Sequence, residues 1–224
     1  MWLPHCAPAA SEGRANISGM STPRGSFIVL EGADGCGKST QAAGLVARLS
    51  ESGRDVLHVR DPGSTAVAEA VRRLLLDPAT GAVGVRTETL LYMAARAQLA
   101  DEVVRPALAR ATIVISERWT LSTEVYQGLA GGLGVEPVRR LADLAEGGTS
   151  PDLTLVLDVE LGVGLSRLSG APDRMEQKGG AFHADVVRGY RKLAGGRPHR
   201  RLIGPGTLEE VAAAVWDEVA AHVA

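Results

Sequence analysis

The sequence predicts an α/β domain with a parallel sheet and helices on both of its faces. Three observations carry this. Short continuous apolar runs of strand length recur along the chain. Stretches with apolar residues at helical spacing separate them. A glycine-rich turn joins the first run to the first helical stretch. Continuous runs mark strands buried on both faces, the condition of a parallel sheet covered by helices.

The elements follow in order. Residues 1–25 mix Pro, Ser, Gly and isolated charges without periodicity, so they are expected to form a loose, disordered tail, with Met20 as a candidate start and the folded domain spanning 26–224. Phe27-Ile28-Val29-Leu30 is the first strand. Ala42, Leu45, Val46 and Leu49 then recur at helical spacing up to Gly53. Val56 to Val59 is the second strand, and Pro62-Gly63 breaks the chain after it. Val67 to Leu76 and Thr87 to Leu108 read as helices, and Thr112 to Ile115 as the third strand. Leu153 to Leu157 is the fourth strand, Arg201 to Ile203 the fifth, and Leu208 to about His222 a closing amphipathic helix. Ligands of such a sheet sit beyond the carboxyl ends of its strands.

Composition narrows the function. The 224 residues carry 24 basic and 26 acidic side chains, a net charge of −2, which argues against a general nucleic-acid or membrane-surface binder. The two cysteines, Cys6 and Cys36, cannot build a disulfide framework, and the five histidines show no zinc spacing. No apolar run approaches the roughly 20 residues that span a bilayer, and the first 25 residues make a poor signal peptide, so a cytoplasmic protein is expected.

Gly32-Ala33-Asp34-Gly35-Cys36-Gly37-Lys38-Ser39, followed by Thr40, matches the phosphate-loop pattern G-x-x-x-x-G-K-S/T. Its glycines let successive backbone N–H groups turn inward around an anion, and the helix that follows adds its positive end. Lys38, one of only three lysines, can reach the β- and γ-phosphates, and the Ser39 hydroxyl suits a Mg²⁺ ion. The loop defines a nucleoside triphosphate site. The sole asparagine, Asn16, leaves no N-K-x-D guanine reader, which argues against a GTPase, and a mechanical ATPase is usually larger. A small-molecule kinase remains, and it needs a second site for an acceptor.

Candidates for that site lie in Asp61-Pro62-Gly63-Ser64, in Leu90-Leu91-Tyr92-Met93-Ala94-Ala95-Arg96-Ala97-Gln98, in Ser116-Glu117-Arg118-Trp119 and in Leu121 to Gly128. With the phosphate loop, P-D-L-T-L-V-L-D-V and D-R-M-E-Q, these segments make the chain from about Phe27 to Val223 resemble the thymidylate (dTMP) kinase family. The resemblance implies a P-loop nucleoside-monophosphate-kinase-like fold of five strands, phosphoryl transfer from ATP to dTMP with Mg²⁺, and a homodimer formed through helices. It implies that Arg118 holds the acceptor phosphate, that Arg96 donates to a thymine carbonyl and that Tyr92 stacks on the base. Thr123, with Ser122, is expected at the base edge and Tyr126 against C2′ of the sugar, and Gln127 is a further substrate-binding candidate. Asp34 is expected near the sugar 3′-hydroxyl and the metal, with Ser39 and Glu117 as further metal candidates. Asp158 and Glu176 are weaker candidates in the metal and lid region.

The acceptor is itself a phosphate oxygen, largely deprotonated at neutral pH, so positioning and charge neutralisation suffice and no strong general base is needed. The chain departs from the family pattern in several places. Glu117-Arg118-Trp119 stands where Asp-Arg-Tyr, Asp-Arg-Phe or Asp-Arg-His is usual, Asp61 where glutamate is common and Tyr92 where phenylalanine is common. A kinase for a modified pyrimidine deoxynucleotide, or a nucleotide-binding paralogue with weak turnover, is the alternative. The phosphate loop carries no basic residue before Lys38, and Cys36 reads as a space-filling residue. Charge on the transferring group is therefore assigned to a lid at about 166–178, through Arg167 and above all Arg174.

Overall fold

The computed structural model describes residues 24–168 and 170–223. The expected tail lies outside the described residues except for its last two. Of these, Gly25 is buried, its N–H donating to the Leu108 carbonyl at 2.8 Å, so Gly25 packs with the domain.

Five parallel strands form one sheet: β1 (Phe27–Glu31), β2 (Val56–Arg60), β3 (Ile113–Glu117), β4 (Leu153–Leu157) and β5 (Arg200–Ile203), in the order β2-β3-β1-β4-β5. Side chains alternate across a strand, so β1 feeds two cores. Phe27 and Val29 pack with Val59, Leu99, Val104, Leu108 and Trp119 on one face. Ile28 and Leu30 pack with Leu45, Leu49, Leu155, Val186 and Val215 on the other. The continuous apolar runs record this two-sided burial.

Helices α1 (Lys38–Glu51), α2 (Ala66–Leu76), α3 (Val85–Leu99) and α4 (Arg105–Ala109) precede β3 or lead into it. The single helix expected over Thr87–Leu108 is interrupted, because Ala100–Val104 winds as a wider π turn between α3 and α4. Pro106, in the first turn of α4, lacks the N–H that would continue a regular ladder. Beyond β3 come α5 (Thr120–Thr123), a second π segment (Glu124–Ala130) and α6 (Val135–Glu146). After β4 come α7 (Leu161–Ser166) and α8 (Gly180–Ala194), and α9 (Leu208–Val223) closes the chain after β5.

The topology places the site. The chain leaves β1 for β2, inserts β3 between them and then crosses to β4 on the other side of β1. The carboxyl end of β1 is therefore a switch point, where an α/β sheet opens a crevice. The register sets Leu30 opposite both Glu117 and Leu155, so residues that follow β1, β3 and β4 emerge side by side.

Candidate active site

The phosphate loop fills that crevice. Gly35 and Gly37 have φ of 76° and 94°, left-handed values that glycine adopts at little cost. Gly35 also lies against the Gly164 backbone so closely that a Cβ would collide with it. Lys38 is buried, its ammonium donating to the carbonyls of Gly32 (3.0 Å) and Ala33 (2.9 Å). The Ser39 hydroxyl donates to Glu117 at 2.5 Å, and Glu117 also meets the His58 ring at 3.1 Å. The loop lines a cavity of about 610 Å³ together with Gln41, Thr207, Leu208 and Val211 and with Arg60, Asp61, Arg72 and Arg118. Cys36 is buried, its sulfur packed beneath Gly32.

A second pocket adjoins the first and shares Asp34, Asp61, Arg72 and Arg118 with it. Arg118 is the pivot. Its backbone N–H donates to Leu30, and its φ of 69° is a conformation that costs a non-glycine residue on the order of 1–3 kcal/mol, a strain typical of functional sites. The guanidinium reaches the Gly32 carbonyl (3.2 Å), Ser122 (3.0 Å), the Tyr190 hydroxyl (3.1 Å) and the Asp34 carboxylate. Burial alone would lower its pKa, but Tyr126, Asp34, Tyr190 and Glu31 outweigh that and hold it well above the ordinary value. Burial alone would likewise push the Asp34 carboxyl up. The Arg118 and Lys38 cations and the Tyr126 hydroxyl, 2.8 Å away, reverse this and keep it ionised.

The floor of the second pocket is Arg96, which is almost fully buried. Its Nε donates to Asp61 at 2.6 Å, one terminal nitrogen to Thr120 at 3.1 Å and the other to Thr123 at 2.9 Å. Burial pushes the Asp61 carboxyl up against the pull of Arg96, and its Oδ1 is buried with no partner among the described residues. Tyr92, Ser122, Thr123, Tyr126 and Gln127 complete the wall. Burial raises the pKa of both Tyr92 and Tyr126, so both present neutral rings.

The structure brings together most of the residues singled out from the sequence, while Arg174, Asp158 and Glu176 border neither pocket. Arg167, just after α7, reaches the Gly35 carbonyl at 3.4 Å and lines the phosphate cavity. Arg174 does not. It is buried away from the cavity, donating to the Leu75 carbonyl (2.7 Å) and to Glu88 (2.6 Å), while Lys178 and Gln127 reach the same carboxylate at 2.7 and 3.2 Å. Glu176 accepts from the Asp173 N–H at 2.9 Å, and Asp158 pairs with Arg191 at 2.9 Å, so both carboxylates are engaged locally. Sequence reasoning missed three residues. Glu31 is fully buried and receives the N–H groups of Trp119 and Ser122 and the Ser122 and Tyr190 hydroxyls. Tyr190 backs Arg118. Arg72, held by the Pro62 carbonyl at 3.0 Å, is a cation where the two pockets meet. The one sequence signal was Glu31 itself, a carboxylate closing an apolar strand.

A phosphate loop at the switch point of a five-stranded parallel sheet, opening into a second pocket through an arginine, defines a P-loop protein of the nucleoside-monophosphate-kinase type. The family model described as thymidylate kinase matches residues 30–210. Thymidylate kinase of Pseudomonas entomophila (strain L48) is 48% identical over 178 residues, covering 79% of this chain and 85% of that relative. Thymidylate kinase of Desulforudis audaxviator (strain MP104C) is 45% identical over 201 residues, covering 88% and 91%. The crystal structure of thymidylate kinase from Ehrlichia chaffeensis superposes with a TM-score of 0.73 at 30% identity, covering 88% of this chain and 99% of that one. The chain belongs to the thymidylate kinase family.

Proposed function

We propose that the chain transfers the γ-phosphoryl group of ATP to dTMP, giving ADP and dTDP. The observation that carries this reading is the shared wall of the two pockets. Asp34, Asp61, Arg72 and Arg118 border both cavities, so a donor phosphate on the loop and an acceptor phosphate on Arg118 would meet there. An arginine fork matches two phosphate oxygens, and Arg118 is already oriented by Glu31, Ser122 and Tyr190. Arg72 is placed to share the charge of the same phosphate.

The acceptor oxygen attacks in line and displaces ADP, so the protein's task is to align and neutralise. The backbone N–H groups of Gly35 to Ser39 and the Lys38 ammonium take the donor phosphates. Arg167, rather than Arg174, is assigned to the transferring group, because it alone of the two borders the phosphate cavity. Arg96 reads a thymine carbonyl, with Thr123, Ser122 and Gln127 beside it and Tyr92 against the base. The Tyr126 ring, fixed through Asp34, excludes a 2′-hydroxyl, and Asp34 faces the 3′-hydroxyl.

Mg²⁺ fits the residues present. No group of three or more metal-binding side chains is found among the described residues, and the Ser39 hydroxyl lies against Glu117 on the cavity wall. That suits an ion which uses one or two protein oxygens and fills its remaining positions with phosphate and water. When bound, it neutralises charge on the phosphate oxygens. We further assign the chain to a homodimer. Leu90 on α3 and Leu144 on α6 are 56% and 83% exposed on neighbouring helices, and they support pairing through that surface. The reading places the work in the cytoplasm, where ATP is available. No helix among the described residues is long and apolar enough to cross a membrane.

A coupled assay of ADP release over a panel of nucleoside monophosphates tests the function. With ATP and Mg²⁺, dTMP is expected to be the best substrate and dUMP weaker, with dCMP, dAMP and dGMP poor. Cytosine presents an amino group to Arg96 and leaves a buried donor unpaired. A purine nucleotide or dCMP as best substrate would overturn the assignment.

A further inference from the structure

Arg96 has five N–H donors, and the structure accounts for four of them. Nε serves Asp61. One terminal nitrogen serves Thr120 and, at 3.4 Å, the Met93 sulfur. The other serves Thr123 with one of its two hydrogens. One N–H beside Thr123 is left for a ligand. Its direction depends on the whole guanidinium plane, which Asp61, Thr120 and Thr123 fix at three points. A threonine hydroxyl, however, carries a hydrogen of its own and can turn it toward a neighbour.

At Thr120 that freedom is removed. Its hydroxyl hydrogen goes to the Glu146 carboxyl, so its lone pairs must face Arg96. Glu146 is the last residue of α6 and is buried. A carboxylate there sits in the unfavourable field of the helix C-terminus and loses its water. Among the described residues, its only side-chain hydrogen bond is the one from Thr120. Helix stability and burial both argue against an acid at this position, and the bond to Thr120 is what it secures.

We propose that Glu146 is a positioning residue for base recognition, acting through Thr120 to hold the Arg96 fork in the plane that meets the acceptor base. This rests on the reading of Arg96 as the base reader. The claim concerns binding of the acceptor and not chemistry at the phosphates, because Glu146 borders neither of the two pockets of the active site.

Steady-state kinetics on Glu146→Leu, Glu146→Gln, Thr120→Val and the Thr120→Val/Glu146→Leu double variant test it. Glu146→Leu is expected to raise KM for dTMP about tenfold, the scale of one hydrogen bond to a charged group, with kcat and KM for ATP within about twofold of wild type. Glu146→Gln keeps an oxygen acceptor of the same shape and should restore most of the lost affinity. The double variant should be no worse than Thr120→Val alone, since the two act in one chain. Additive losses, or a Glu146→Leu enzyme with unchanged KM for dTMP, would overturn the proposal. An equal fall in kcat and in affinity for both nucleotides would mark general damage to the fold and also overturn it. Arg96→Lys separates the underlying reading. If it binds dTMP as wild type does, the base-site assignment fails. If it is impaired while Glu146→Leu is not, only the positioning role fails.

Discussion

Arg118 and Asp34 form an ion pair across the mouth of the phosphate loop, joining the end of β3 to the loop that follows β1. Each partner is also held from behind, Arg118 by Ser122 and Tyr190 and Asp34 by Tyr126. Arg118, which we assign to the acceptor phosphate, thus also stands in the wall of the phosphate-loop pocket, and the pair ties the two pockets together.

Arg118→Ala should therefore damage the acceptor site more than the donor site. Loss of a part-buried charge-assisted fork costs on the order of 2–5 kcal/mol, and part of that is the Asp34 carboxylate left without its cation. The expected result is a fall of at least about thirtyfold in kcat/KM for dTMP, with ATP affinity changed far less, since Lys38 and the loop amides remain. Calorimetric titration of each nucleotide into the variant checks this. Equal weakening of both would mean that Arg118 serves the loop and not the acceptor.

The two lid arginines should separate by phenotype. Arg167→Ala is expected to lower kcat at least tenfold with little change in melting temperature, because the side chain is exposed and borders the phosphate-loop cavity. Arg174→Ala leaves the buried Glu88 with one cation fewer and breaks the bond to Leu75, so it should lower the melting temperature by several degrees. A variant Arg174→Ala with native stability and tenfold lower kcat would return the catalytic role to Arg174.

The misplacement of Arg174 shows where the sequence stops being legible. The central strands β1, β3 and β4 could be read because each is a short apolar run buried on both faces, the edge strands β2 and β5 being only partly buried, and the phosphate loop because its glycines and Lys38 are neighbours in the chain. The destination of Arg174 depends on Glu88, 86 positions away, and nothing local to either residue marks them as partners. Arg72 looks like an ordinary polar-face arginine of α2 until β2 and β3 bring Asp61 and Arg118 beside it. Glu31 is legible only as an odd carboxylate, since its partners Ser122 and Tyr190 lie 91 and 159 residues on. Side chains whose role is set by distant neighbours carry no short-range signature.

Acid should weaken the domain, and Glu88 should account for part of the loss. Burial alone would raise the Glu88 pKa, but Lys178, Arg174 and Gln127 outweigh it and hold the carboxyl below its ordinary value of 4.5. Glu124, held by Arg139 and Arg200, is lowered in the same way. A carboxyl that binds its proton less readily when folded stabilises the fold fully above its unfolded pKa. That stabilisation drains as pH falls toward the folded pKa, because the unfolded chain then takes up more protons. Melting temperature should therefore drop between about pH 5 and pH 3, and Glu88→Gln should flatten that slope while costing on the order of 3 kcal/mol near pH 7. Thermal scans across the range read both quantities, and a variant with the wild-type slope would show that Glu88 is not among the groups responsible.

Gly164→Ala sets two effects against each other. Gly164 lies within α7 at ordinary helical φ, where alanine is favoured over glycine by about 0.5–1 kcal/mol. Its missing Cβ, however, faces the carbonyl oxygen of Asp34, and an added methyl would lie 2.7 Å from that oxygen. The oxygen belongs to the loop backbone and the methyl would be fixed directly to the backbone of α7, so the overlap can be relieved only by moving α7 off the phosphate loop. Arg167 would move with it, since its N–H donates to the Gly164 carbonyl at 3.1 Å. Helix propensity acts on local stability, whereas the displacement acts on the geometry of the donor site, where an error of about 1 Å can cost a hundredfold in rate. The displacement should win in the kinetics and nearly cancel in the stability. Gly164→Ala is expected to raise KM for ATP and lower kcat, each by roughly five- to tenfold, with KM for dTMP and the melting temperature close to wild type. If α7 is free to shift without consequence, the same variant will be slightly more stable and fully active, and the packing of α7 on the loop will have no part in phosphoryl transfer.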